Sequence, residues 1–248
     1  MANLTPVVLE NLNISEFIQH VLVAHSLPST IIVCSSKDAF LKHLHAASAR
    51  TTTLAQQGEE GEHDGPRSSG RKHEPWSVPT LRLLASSRTV RMVFCPDVTH
   101  LRACLGTHAH RPSEDSKHEV EESSSQRLLA VLNPIQLHRP TSAFSAQGLN
   151  RTFATAVEAA YRTKSRLVVG ECSTENIGPS TVDPLAVEAD PAASAAPPAS
   201  QWDEHVSILN VTTKSFGVGE RGWVGRTVKI RSIAERWCTF RNMVAAEN

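Results

Sequence analysis

Four short and almost entirely apolar segments recur along the chain, separated by longer stretches. These segments are Thr30–Cys34 (TIIVC), Val90–Cys95 (VRMVFC), Leu128–Leu132 (LLAVL) and Arg166–Cys172 (RLVVGEC). Continuous apolar runs of this length are typical of strands that are buried on both faces. The stretches between them carry apolar residues at helical spacing, most clearly in Gln147–Tyr161. This alternation predicts an α/β fold, in which a mostly parallel sheet is flanked by helices.

The C-terminal part of the chain has a different pattern, because its apolar segments are not separated by helical ones. Three segments have β-like composition: Val206–Val211, Arg226–Ile233 and Arg236–Phe240. We predict that they are antiparallel strands added to one edge of the sheet.

Three polar stretches interrupt the regular pattern, at about 47–77, 106–126 and 173–201. They are rich in Gly, Ser, Pro, Ala or charged residues, and such composition does not offset the entropy lost on ordering a chain. We predict that all three are disordered insertions. The rest has the size of one domain, so residues 1–248 are predicted to form a single interrupted domain.

Charge and cysteine content narrow the class of protein. The 25 basic and 25 acidic residues cancel, which argues against a globally basic nucleic-acid binder. The five cysteines are scattered and form no CxxC motif, a pattern that favours reduced thiols in an intracellular protein over a disulfide framework or a zinc site. No apolar run reaches the roughly 20 residues of a membrane span, and the N-terminus has no secretory pattern.

The strand ends indicate a nucleotide site that has lost its key residues. After Thr30–Cys34 the chain reads SSKDAF, with Lys37 but without the glycines of a phosphate-binding loop. After Leu128–Leu132 comes Asn133, where an aspartate would hold magnesium. We therefore predict a degenerate nucleotide site at Lys37 and Asn133, with no cofactor, no metal and no catalytic residue.

The loop after the third strand holds His138, Arg139 and Phe144. One interpretation is an exposed loop that contacts a partner or DNA. The other is a strand-to-helix connection whose apolar residues simply pack. Ser145 fits the N-cap of the following helix in both cases.

The strongest local charge feature lies between Val211 and Arg241, with seven basic residues and two acidic ones. A basic, glycine-rich segment with aromatic residues suits a single-stranded backbone with stacked bases. The candidate DNA-binding residues are Lys214, Arg221, Trp223, Arg226, Lys229 and Arg231. Alternation places Lys229 and Arg231 on one face of a strand. The alternative is a solvated hairpin in which Trp223 anchors the turn.

The order of these segments resembles the RecA-type recombinase core, a P-loop NTPase-type fold. It is more narrowly similar to the ATPase-like partner of SWIM-domain proteins in Shu-type complexes. The segments that carry the resemblance are TIIVCSSKDAFLKHL, VRMVFCPDVTHLRACL, RLLAVLNPIQLHRPTSAFSAQGLNRTFATAVEAA, RLVVGEC and GRTVKIRSIAERWCTF. The departures lie at Lys37, which stands in no Gly-Lys-Ser/Thr motif, and at Asn133.

The resemblance implies a non-catalytic nuclear subunit that assists homologous recombination DNA repair. Its expected partners are a second RecA-like or SWIM-domain protein and single-stranded DNA, with no membrane. Elongator accessory subunits share such a degenerate core, so support of transfer-RNA modification is the alternative. A third hypothesis is an α/β enzyme that uses His138, Arg139 and Glu171 around an unrecognised ligand.

Overall fold

The structure is a computed structural model that describes residues 5–24, 28–57, 81–108, 127–172, 200–209 and 226–242. Its strands are β1 (Val7–Glu10), β2 (Ser29–Val33), β3 (Val90–Phe94), β4 (Leu128–Leu132), β5 (Arg166–Gly170), β6 (His205–Ser207), β7 (Thr227–Lys229) and β8 (Thr239–Asn242). Its α-helices are α1 (Ile14–Ala24), α2 (Lys37–Gln57), α3 (Leu81–Arg88), α4 (Val98–His108), α5 (Pro134–His138), α6 (Ala146–Arg162) and α7 (Ile230–Ala234). A 3₁₀ helix spans Gln201–Asp203.

Six strands form one sheet in the order β3-β2-β4-β5-β1-β8, and every neighbouring pair is parallel. The central strand β4 is buried at all five positions, which is why it is apolar throughout. β6 and β7 form a separate two-stranded antiparallel sheet. The predicted class, an α/β fold with a parallel sheet and antiparallel C-terminal strands, is confirmed.

Helices cover both faces of the large sheet and create two hydrophobic clusters. On one face α1 and α2 bury Phe17, Val21 and Phe40. On the other face α4, α6 and α7 bury a larger set that includes Trp202. Trp202 lies 5.1 Å from Phe240 and 6.4 Å from Phe153, measured between ring centroids. The second face therefore joins the C-terminal elements to the body of the sheet.

The C-terminal prediction was wrong in three details. Ile230–Ile233, expected to belong to the strand Arg226–Ile233, lies in the helix α7. β8 does join an edge of the large sheet, but it runs parallel to β1. β6 and β7 pair with each other and do not extend the large sheet.

Sequence reasoning also missed β1, which lies between β5 and β8 and is almost fully buried. The predicted insertions begin and end differently from expectation. α2 continues to Gln57, α4 continues to His108, and the 3₁₀ helix with the buried Trp202 begins at Gln201, the last residue of the third predicted insertion. The rest of each predicted insertion lies outside the described residues.

Candidate functional site at the carboxyl edge of the sheet

The strands β1 and β5 are neighbours, and the described helices that come next in the chain after them pack on opposite faces of the sheet. α1 follows β1 and packs on one face, whereas α7, which comes after β5, packs on the other. In open parallel sheets such a switch point forms a crevice at the carboxyl ends of the strands, and ligands bind there. The residues at this edge, Glu10, Asn133, Glu171 and Arg231, are called the switch-point cluster below.

An internal ion pair occupies the end of β1. The Arg231 guanidinium donates hydrogen bonds to both carboxylate oxygens of Glu10. The two side chains are 29% and 16% exposed, so the pair is largely withdrawn from water. Arg231 also lies 3.9 Å from an Asp203 oxygen and 4.4 Å from the centroid of the Phe240 ring. Arg231 is thus held by groups of the chain itself.

Asn133 joins the ends of β4 and β5. Its backbone lies in the left-handed region, with φ of 59°. Its N–H donates to the Gly170 carbonyl, and its side-chain Oδ1 accepts from the Cys172 N–H, both at 2.8 Å. Asparagine tolerates left-handed backbone better than most residues. The side chain predicted to stand in for a magnesium ligand thus satisfies a buried backbone amide.

Glu171 is buried beside the start of α5. Its Oε1 accepts hydrogen bonds from the N–H groups of Ile135 and Gln136, the second at 3.2 Å. Among the described residues its Oε2 has no partner. Burial raises the pKa of this carboxyl to about 8, against the opposing effects of the two amides and of Arg139. Glu171 therefore carries a proton at neutral pH.

Lys37 lies just after the segment Thr30–Cys34, at the start of a helix. It is the exposed first residue of α2, and it follows β2, the second strand of the chain. Thr30–Cys34 is the second strand of the chain and not the first, because β1 precedes it. β2 does pair with β4, so Lys37 and Asn133 follow neighbouring strands. The hydrogen bonds of Asn133 described above, however, join it to Gly170 in β5 and to Cys172 just after that strand.

His138, predicted to lie in a loop, is the last residue of the short helix α5. His138 is fully buried, and its Nδ1 lies 2.7 Å from the Pro134 carbonyl, so this nitrogen donates. Its Nε2 accepts from the Thr152 hydroxyl at 3.0 Å. Burial lowers the pKa of His138, and the neutral ring matches both bonds. His138 is therefore an internal bridge and is removed from the candidate contact residues.

The other loop residues are more accessible. Arg139 pairs with Glu204 at 2.6 Å, and both side chains are about one-third exposed. Phe144 is half-buried and packs against the larger cluster. Ser145 caps α6 by accepting from the Gly148 N–H, as its sequence position predicts. Of the three predicted contact residues, Arg139 and Phe144 keep exposed surface.

The candidate DNA-binding residues are only partly described. Lys214, Arg221 and Trp223 lie outside the described residues. Arg226 is exposed just before β7, and the exposed Lys229 ends that strand, with its Nζ 3.7 Å from Asp203. Arg231 lies in α7, the helix that follows β7. The expectation that Lys229 and Arg231 share one face of a strand was therefore wrong. Among the described candidates, Arg226 and Lys229 are the exposed ones, and Lys229 would have to exchange its contact with Asp203 to meet a phosphate.

Sequence reasoning missed Glu10 and Asp203, which hold Arg231. Glu10 follows the apolar triplet Val7–Leu9, a signal for a short buried strand with a polar residue at its end. Asp203 lay beside a stretch interpreted as an insertion, and no pattern in the sequence links it to Arg231.

Comparisons with protein families and with curated proteins give no assignment for this chain. No protein-family model matches the chain, and no curated protein matches it. In the described ranges, no helix is long and apolar enough to cross a membrane. The same part of the chain contains no group of three or more His, Cys, Asp or Glu side chains placed to hold a metal ion.

The Glu171→Gln variant should change how stability depends on pH. In the wild type, the folded state keeps a proton that the unfolded carboxyl, with its pKa near 4.5, releases. Stability is therefore full below that value and falls as pH rises toward about 8. Glutamine does not titrate, so the variant does not show this fall in stability. Between pH 4.5 and about 8 its unfolding free energy relative to wild type should therefore rise, by at most ~1.4 kcal/mol per pH unit.

Urea unfolding at pH 5 and at pH 8 measures this difference. Glu158→Gln is the matched control, because Glu158 is exposed and its ion pair among the described residues is with Arg162 on its own helix. Its profile should run parallel to wild type. A Glu171→Gln profile that also runs parallel would mean that Glu171 is ionised in the folded protein.

Proposed function

We propose that this protein is a non-catalytic RecA-like subunit of a heteromeric complex that assists homologous recombination repair in the nucleus. Its role is to bind a second RecA-like or SWIM-domain protein and single-stranded DNA. The parallel sheet and the two helical faces supply the scaffold, and the basic C-terminal segment supplies the contact with phosphates.

The observation that carries the non-catalytic part is that most polar groups of the switch-point cluster are bound within the chain; Oε2 of the buried Glu171 is the exception among the described residues. A ligand-binding crevice needs free polar groups at the carboxyl ends of the strands. Here Glu10 and Arg231 bind each other, and Asn133 binds the amide of Cys172. Glu171 accepts hydrogen bonds from two backbone amides, and burial raises its pKa so that it is protonated at neutral pH. These groups hold the strands and α5 together, which suits a scaffold better than the α/β enzyme with an unrecognised ligand.

The DNA-binding part depends on charge and exposure. The segment from Val211 to Arg241 carries seven basic residues and two acidic ones. Arg226 and Lys229 are exposed within it, and Arg236 and Arg241 are exposed as well. Exposed cations in one segment attract a polyanion with an affinity that falls steeply with salt.

Replacing Arg226 and Lys229 together by alanine should weaken binding to single-stranded DNA by about tenfold at low salt. The slope of log K against log[salt] should become shallower by about 1.4, because each lost phosphate contact contributes about 0.7 on a single strand. Titration of a fluorescent oligonucleotide across a salt series measures both quantities. Neither side chain is buried, so the variant should keep its fold.

The matched control replaces Arg88 and Lys42, which are exposed on α3 and α2. It removes the same two charges far along the chain from the basic segment. If both double variants bind like wild type, or lose affinity equally, the proposed DNA contact through β7 is refuted.

A further inference from the structure

Two large aliphatic side chains are exposed next to each other where β6 ends. Ile208 is 41% exposed and Leu209 is 58% exposed, whereas Val206, which points from β6 into the larger cluster, is buried. An isolated exposed aliphatic residue is common on protein surfaces, but neighbouring ones are a feature of surfaces that contact another molecule. The pair Ile208 and Leu209 is thus a candidate contact surface.

Hydrogen bonds fix the position of this pair. The Ile208 carbonyl accepts from the N–H of Gln147 in the first turn of α6, at 3.3 Å. The Ile208 N–H donates to the Arg226 carbonyl at 3.0 Å. The Ser207 hydroxyl donates to the Leu209 carbonyl at 3.1 Å. The two aliphatic side chains are therefore already held in place beside α6, and a ligand that contacts them loses little free energy in ordering them.

Arg226 lies beside Ile208 on one face of the small antiparallel sheet. Ser207 is opposite Thr227 in the pairing of β6 with β7, and the bond from Ile208 to Arg226 continues this register by one residue. Opposite residues of an antiparallel pair have neighbouring side chains on the same face. The Arg226 side chain is exposed and, within the described ranges, forms no ion pair. A cation therefore stands next to the aliphatic pair.

The surroundings of the pair favour an anionic ligand. Arg151 is exposed on α6, one turn beyond Gln147, and the half-buried ring of Phe144 precedes that helix. The nearby acid Glu204 is bound to Arg139. An apolar surface next to cations suits a ligand that has both charged groups and flat apolar faces. Single-stranded DNA has both, because its phosphates are charged and its bases are free to leave the stack.

We propose that Ile208 and Leu209 contact the face of an unpaired base of single-stranded DNA, and that Arg226 binds the phosphate beside that base. The inference rests on the proposed DNA-binding function and adds to it the place where a base binds. Isoleucine and leucine side chains make such contacts in proteins that insert apolar residues between bases. In a duplex the base faces are covered by stacking, so the protein should bind a single strand more tightly than a duplex of the same length.

The test replaces Ile208 and Leu209 together by serine and titrates two fluorescent strands of equal length, an oligothymidylate and an abasic strand. Affinity for the oligothymidylate should fall by about tenfold. The slope of log K against log[salt] should stay as in wild type, because no charge is removed. Affinity for the abasic strand should not change, because that strand has no base to contact. Both replaced side chains are exposed, and circular dichroism checks that the fold is kept.

The matched control replaces Val23 and Leu41 by serine. These aliphatic residues are also exposed, and they lie on α1 and α2, which pack on the other face of the large sheet. This variant should bind both strands like wild type.

Three outcomes would overturn the proposal. If wild type binds the oligothymidylate and the Ile208/Leu209 variant binds it equally well, or loses affinity equally for the abasic strand, the base contact is refuted while the DNA-binding function stands. A variant that binds DNA normally but no longer co-purifies with a stoichiometric protein partner would assign the pair to a protein interface instead. A wild type that binds neither strand would refute the proposed DNA-binding function together with this inference.

Discussion

Replacing Arg231 by alanine should lower the free energy of unfolding by about 2–4 kcal/mol, since it leaves the mostly buried Glu10 carboxylate without its partner. The change also removes the contacts with Asp203 and with the Phe240 ring. The pair joins residues 221 positions apart in the chain. Its loss should therefore loosen the attachment of α7 and β8 to β1. Urea unfolding followed by circular dichroism measures the effect.

The matched control is Arg162→Ala. Arg162 pairs with Glu158 at 2.6 Å, but both side chains are about half exposed and lie one turn apart on α6. Exposed pairs of this kind contribute only about 0.3–0.5 kcal/mol. Equal losses of stability in the two alanine variants would contradict this prediction. The Glu10–Arg231 pair would then stabilise the fold no more than an exposed pair does, and its side chains would be less withdrawn from water than described.

Replacing Gly148 by alanine should destabilise the fold by about 3 kcal/mol or more, because a Cβ atom there would overlap the carbonyl group of Ala143. That carbonyl belongs to the turn before α6, and the Gly148 N–H is the group that Ser145 caps. The backbone cannot shift without breaking the cap. Thermal unfolding should show a clearly lower Tm.

Gly106→Ala provides the opposite case on α4. A Cβ atom at Gly106 would meet no atom within 4 Å. Alanine favours a helix interior over glycine by about 1 kcal/mol, so this variant should be more stable than wild type. A Gly148→Ala variant as stable as wild type would mean that the turn before α6 is looser than described.

The strands that the sequence predicted well are those whose composition leaves few alternatives. β4 reads LLAVL and is buried on both faces, and no helical spacing competes with that reading. β1 was missed because four residues near the N-terminus carry too little periodicity to distinguish a strand from a loop. Its position between β5 and the edge strand β8 follows only from pairing with them.

The C-terminal error has a specific cause. In Val228–Ala234 the apolar residues fit strand alternation at Val228 and Ile230, and they fit helical spacing at Ile230, Ile233 and Ala234. The helix forms because those three side chains are buried together in the larger cluster. Tertiary packing, which the local pattern does not contain, decides between the two.

The sequence could predict the position of a single residue of the candidate site, but not the contacts between its residues. Asn133 was identified from its position after an apolar strand, and it does lie at the carboxyl edge. Its bond to the Cys172 amide and the Glu10–Arg231 pair connect residues that are distant in the chain. Such contacts depend on the assembled sheet, and a single sequence does not reveal them.

Affinity purification of the tagged full-length chain from its native cells, with quantification of the co-purifying proteins, tests the central claim most directly. The account predicts a RecA-like or SWIM-domain protein, recovered in near-equal molar amount and together with recombination factors. Recovery of Elongator subunits in that amount, or of the chain without any stoichiometric partner, would contradict it.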